Sequence, residues 1–197
     1  MQSVKTALKD RDEAFGGDVA REERNNDLKR DTMDSAGRDD RLLRCGDCPY
    51  LGRRRELASV GRRMKNATAT LQGGLRASEA QGTPISAKFE IEDGKLQLSV
   101  YTMKGNDFME VVADPSTGAI AKAEKITDAG DLKEAAEQKA AMAKAKVPLL
   151  TATEAAVGAN AGFLAVSIVP ELKNGQATAE VTLVQGTAFK KVTEKLD

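Results

Sequence analysis

A chain of 197 residues with 41% hydrophobic residues can hold one large or two small domains, but with 4% aromatics and no Trp its cores should be small and built from Ala, Val and Leu. Lys and Arg (30) balance Asp and Glu (30), so the overall field gives no reason to expect nucleic acid or an anionic membrane as a partner. His is absent, which removes the usual general base, triad partner and metal ligand, and no run of about 18 apolar residues is available to cross a bilayer.

Residues 1–44 mix Arg, Asp, Glu, Asn and Gly with isolated apolar residues. Such a segment buries too little surface to offset its ordering entropy, so residues 1–55 are expected to form a disordered or partly helical arm. The opening MQSVKTALKDRDEAFGGDVARE has no apolar core of a secretory signal. Of the 13 Arg, 12 precede Lys65, whereas 14 of the 17 Lys lie at or after it, which suggests that the arm has a different origin from the rest. Asp10, Asp12 and Glu13 open a calcium-loop pattern that fails at Ala14, Phe15 and Arg21. Cys45 and Cys48 form the only cysteine pair. Neighbouring Arg44, Arg53, Arg54 and Arg55 would favour a thiolate. However, no strand precedes the pair and Pro49 follows it, and a zinc site would need carboxylates or another chain for its remaining ligands. The plain reading is a pair without structural importance, and the Arg runs at 53–55 and 62–63 read as a solvated helix face.

From Glu56, the residues Leu57, Val60, Met64, Ala67, Leu71 and Leu75 recur at helical spacing and predict one apolar stripe, weakened by Gly73-Gly74. Three antiparallel strands follow. Ile85, Ala87, Phe89 and Ile91 alternate with polar residues, Asp93-Gly94 makes a tight hairpin, and Leu96, Leu98 and Val100 return. Lys104-Gly105-Asn106 turns into a third strand, Phe108 to Ala113, closed by Asp114-Pro115-Ser116-Thr117-Gly118. Ala119 to Ile126 predicts a fourth strand. Asp93, Asp107, Glu110 and Asp114, with Asn106, are the candidate oxygen ligands for a hard cation such as Ca²⁺, provided the turns converge. Acid-base catalysis by these carboxylates would need one of them raised in pKa by burial or by a like charge, which water-facing strand positions do not offer. No phosphate-loop, dinucleotide-binding or nucleophile-elbow motif occurs.

Asp128 to Asp131 offers caps for an Ala-rich connecting helix that stops near Pro148. Thr151 and Glu154 have the spacing of a capping box for a shorter helix ending at Gly162. The remainder repeats the first half at an offset of 81 residues: Ser86 with Ser167, Glu90 with Glu171, Gly94 with Gly175, Val100 with Val181, Gly105 with Gly186, Phe108 with Phe189 and Val111 with Val192. Gap-free identities that include both turn glycines suggest duplication.

The segment FMEVVADPSTGAIAKAEKI resembles the C-terminal signature of PepSY domains, in which a strand runs into an Asp-Pro-x-Thr-Gly turn and then a final strand. The likeness covers roughly residues 58–126, with a degenerate second copy in the C-terminal third. It implies an α+β fold of two repeated units, each a helix packed on a small antiparallel sheet. The expected divisions are the arm at 1–55, a first unit at 56–127, the connecting helix at 128–147 and a truncated second unit at 148–197. It also implies a non-catalytic, periplasmic or secreted protein, inhibitory or regulatory, with a peptidase or other envelope protein as partner and without a cofactor. Two alternatives are a cation-binding envelope protein using the acidic turns and a redox protein using Cys45 and Cys48.

Overall fold

Residues 49–197 are described by the computed structural model; the arm's earlier residues, with Cys45 and Cys48 and the Asp10 pattern, lie outside them. The helical stripe after Pro49 does not run as one helix. It forms α1 (Pro49–Arg63), a 3-10 turn (Met64–Asn66) and, after an extended break, α2 (Leu71–Ser78). The break has a local cause. Thr70 caps α2, its Oγ1 accepting the Gly73 N–H at 3.0 Å, while the Thr68 and Ala69 N–H groups donate to the Pro115 carbonyl, each at 3.0 Å. Hydroxyl side chains at such positions compete with the helix ladder. Helix α1 also begins before residue 56, within the length expected for the arm.

The alternating segments form seven strands: β1 (Thr83–Glu92), β2 (Lys95–Lys104), β3 (Asp107–Ala113), β4 (Ile120–Lys125), β5 (Leu164–Lys173), β6 (Gln176–Gln185) and β7 (Ala188–Lys195). They join in one antiparallel sheet of order β4-β3-β2-β1-β5-β6-β7. The two hairpin turns have the positive φ that their sequences predict, 49° at Asp93 and 73° at Gly94, 52° at Asn174 and 81° at Gly175. The bounds of β5 and β6 are those of β1 and β2 moved by 81 residues, and the ladders keep register: Ala87 opposes Val100 as Ile168 opposes Val181. Each of β1 and β5 carries a bulge, between Pro84 and Ser86 and between Ala165 and Ser167.

One sheet face is apolar and carries Ala87, Phe89, Leu98, Val100 and Val111 beside Ile168, Val181 and Leu183, in a single cluster with Val60, Leu71, Leu75, Leu149 and Ala156. Helices α1, α2 and α4 (Leu149–Gly158) cover it. Instead of two small sheets with a helix each, the described residues share one sheet and one principal core.

The Ala-rich helix, α3 (Ala129–Met142), starts as expected, with Asp128 Oδ1 accepting the Gly130 and Asp131 N–H groups at 2.7 and 3.1 Å. It does more than connect. Ala135 packs with Ile85, Phe108 and Ile126 in a second cluster, so α3 covers part of the other sheet face. The Thr151-Glu154 capping box does not form. Helix α4 starts three residues earlier, capped by Pro148 without a side-chain bond, and Glu154 pairs instead with Arg76 of α2 at 2.5 Å.

Candidate functional site: a cleft at one end of the sheet

The sheet end where β1 begins and β2 finishes is crossed by the chain between α3 and α4, and a solvent-open cleft of about 650 Å³ lies there. Its walls are mixed, and their apolar part comes from Leu75 of α2, Met103 of β2, Met142 of α3, and Val147, Leu149 and Leu150 beyond it. Glu79, Lys104 and Lys146 add charge. One flank is braced by Lys139, whose Nζ donates to the Gly105 carbonyl and Asn106 Oδ1, both at 3.1 Å. The other is tied to the strand end by the Lys146 and Val147 N–H groups, which donate to the Leu196 carbonyl at 2.5 and 3.0 Å. A concavity of mixed apolar and charged lining can take apolar side chains and orient the chain that bears them. The sequence reading missed it because its lining comes from segments distant in sequence.

The face opposite the main core carries a second polar feature. Lys88 Nζ lies 2.7 Å from Glu90 Oε2 and 5.5 Å from the centre of the Tyr101 ring. Gln97 Nε2 donates to Glu90 Oε1 at 3.2 Å, to Glu92 Oε2 at 2.6 Å and to Ser99 Oγ at 3.2 Å. Burial by itself lowers the Lys88 ammonium, but the hydrogen bond and charge of Glu90, aided by Tyr101, outweigh it and hold Lys88 above its ordinary value. Burial likewise raises the Glu90 carboxyl, and hydrogen bonds from Lys88, Ser99 and Gln97 more than reverse that. The Tyr101 phenol is pushed up to about 12 by burial, with the Glu110 and Glu90 charges adding to the effect and Lys88 opposing it. These shifts keep each group in its resting charge state near neutral pH, as in an ion-pair network that fixes a surface.

The candidate cation ligands are divided between the two ends of the sheet and the middle of β3. Asp93 sits in the β1–β2 turn and Asp114 in the β3–β4 turn at the same sheet end, whereas Asp107 starts β3 at the other end. Seven residues of extended chain separate Asp107 from Asp114 by about 20 Å. Glu110 stands midway along β3, opposite Tyr101 on one side and Glu124 on the other. Asp107 is paired with Lys125 at 2.6 Å. Asp114 Oδ1 accepts the Ser116 and Thr117 N–H groups, each at 2.9 Å, and the Thr117 hydroxyl at 3.1 Å, and these bonds lower its pKa. Asn106 is held by Lys139. Among the described residues no group of three or more His, Cys, Asp or Glu is placed to hold a metal ion. The Asp-Pro-Ser-Thr-Gly turn works as a latch: Asp114 shapes it, and its Pro115 carbonyl receives the chain leading into α2.

Among the described residues, no helix is long and apolar enough to cross a membrane. No family model matches the chain and no curated protein matches it. Among solved structures, a putative lipoprotein from Clostridium difficile 630 is similar at a TM-score of 0.34 and 15% identity, over 58% of this chain and 75% of that one.

Proposed function

We propose that the chain is a non-catalytic binding or regulatory protein of PepSY type that works in the cell envelope and holds an apolar segment of a protein or peptide partner, a peptidase being the partner class that the resemblance implies. The two halves, related by the 81-residue spacing of β1-β2-β3 and β5-β6-β7, are taken as duplicated units merged into one sheet. The cleft between β1, β2 and the α3–α4 connection is the observation that carries this reading. It offers the apolar part of its walls to a side chain and charges to the segment that bears it.

Leu150, half-buried in the cleft wall, gives the test. Apolar pentapeptides titrated calorimetrically into the full chain should bind saturably, and Leu150→Glu should abolish the heat while leaving the melting temperature within about 2 °C, the small shift expected where no core contact is lost. Absence of binding by every peptide at millimolar concentration, or binding unaffected by Leu150→Glu, would refute the assignment.

A further inference from the structure

The sheet has two edges, β4 and β7. At β4 the Ile126 N–H donates inward to the Phe108 carbonyl at 3.0 Å. Inward and outward backbone groups alternate along an antiparallel strand, so Glu124 and Lys122 also bond toward β3 and the N–H and C=O groups of Ala123 and Lys125 point away from the sheet; the alternation ends at Ala121, the extra residue of a bulge between Lys122 opposite Val112 and Ile120 opposite Ala113. No described residue pairs with that outer side. The helices pack chiefly on β1, β2, β5, β6 and β7, and of β4 only Ala123 is packed against the main core. An edge of this kind is a template for another strand.

Its charges select which strand. Lys122 and Glu124 share one face and flank Ala123 symmetrically, 2.7 Å apart as an exposed ion pair. If a second copy of β4 is laid antiparallel with Ala123 opposite Ala123, the outward N–H and C=O groups of the two alanines bond to each other. Each Lys122 then faces the other copy's Glu124. A shift of the axis by one residue places Lys122 opposite Lys122 or Glu124 opposite Glu124, which is destabilising. One register is therefore favoured, and the small side chain at 123 leaves it unobstructed. The other edge is differently engaged: Arg54 of α1 lies 5.5 Å from the centre of the Phe189 ring, and Lys190 binds Asn160 and lies 4.2 Å from that of Phe163.

We propose that the chain pairs with a second copy of itself through β4, antiparallel about Ala123, making one sheet continuous across both copies. The surface is separate from the cleft, so the two readings stand or fall apart. Sedimentation velocity of the full 197-residue chain over micromolar to millimolar concentration should show a monomer-dimer equilibrium. Ala123→Pro removes an outward N–H at a place where an edge strand tolerates proline, and should give monomers throughout. Lys122→Glu should weaken the dimer at least tenfold, and Lys122→Glu with Glu124→Lys, which restores opposite charges across the axis, should recover it. A wild-type chain monomeric at millimolar concentration would overturn the proposal. So would a dimer indifferent to Lys122→Glu, or a double variant no better than the single one. The charge-swap series decides the matter even if Ala123→Pro fails to fold.

Discussion

Ala87 and Ile168 face each other across the two central strands, and each is the other's counterpart at the 81-residue spacing. The β1–β5 ladder is short, Ala87 with Ile168 and Lys88 with Ser167, and it is flanked on one side by the bulge of β1 and on the other by that of β5. A bulge leaves a residue unpaired and bends its strand, so the halves splay apart on both sides of the join. What unites them is the shared core, in which Phe89 and Leu98 belong to the same cluster as Ile168 and Leu183. Differential scanning calorimetry should therefore show one transition for residues 49–197, and Ile168→Ala should lower it by about 2–5 kcal/mol without splitting it.

Gly74 sits where α2 meets β2. A Cβ there would collide with Leu98 Cδ2 and press on Cγ at 3.1 Å, and Leu98 is fully buried. Gly74→Ala gains helix propensity of about 1 kcal/mol but overpacks the core by roughly 1–3 kcal/mol. The net outcome is destabilisation, measurable as a fall in the urea midpoint. A rise would show that α2 can lift off the sheet at no cost.

The chain has two tyrosines, Tyr50 and Tyr101, so Tyr50→Phe leaves Tyr101 as the sole reporter. Its absorbance at the phenolate band should titrate near pH 12 in the folded protein and near its ordinary value of 10 in denaturant. The sign follows from linkage. The fold favours the neutral phenol and the Lys88 ammonium, both with raised pKa, so their contribution is complete below pH 10 and is lost as pH rises above it. Stability should decline on the alkaline side, and less steeply in Tyr101→Phe.

On the acid side Glu90 and Asp114 are held below their ordinary values. Their contribution is present above the unfolded values of 4.5 and 3.8 and disappears as pH falls through the lower folded ones. Glu90→Gln should reduce the slope of melting temperature against pH below about pH 4.5. An unchanged slope would mean that the hydrogen bonds from Lys88, Ser99 and Gln97 give the carboxylate no preference.

Asp107 and Asp114 lie at opposite ends of β3, and each has its own partners. The effects of Asp107→Asn and Asp114→Asn on melting temperature should therefore add, and millimolar Ca²⁺ should shift parent and double variant equally. A calcium-dependent rise confined to the parent would show that the turns close on an ion.

Period-two alternation, the Asp93-Gly94 and Asn174-Gly175 turns and the Asp128 cap were legible in the chain because each is a local rule: a strand shows a face every second residue, and a positive φ selects few residue types. The helix break at 67–70 and the Pro148 start of α4 were harder to read, since Thr68, Thr70 and Thr151 satisfy local rules in more than one way. Which option holds depends on where Pro115 and Arg76 lie in space.

Sequence by itself determined the strands, their turns and most of the apolar face, as properties of neighbours along the chain; Ile85, expected beside Ala87 and Phe89, is turned by the β1 bulge to the face that α3 covers. Only the tertiary structure decided that β1 joins β5 in one sheet, that α3 lies on the second face, that Lys88 meets Tyr101, that Leu75, Met103 and Leu150 wall one cleft, and that Asp107 is drawn to Lys125 while Asp114 shapes its own turn. Most of these depend on contacts between segments tens of residues apart, whose relative placement is set by packing of the whole core and not by any local preference.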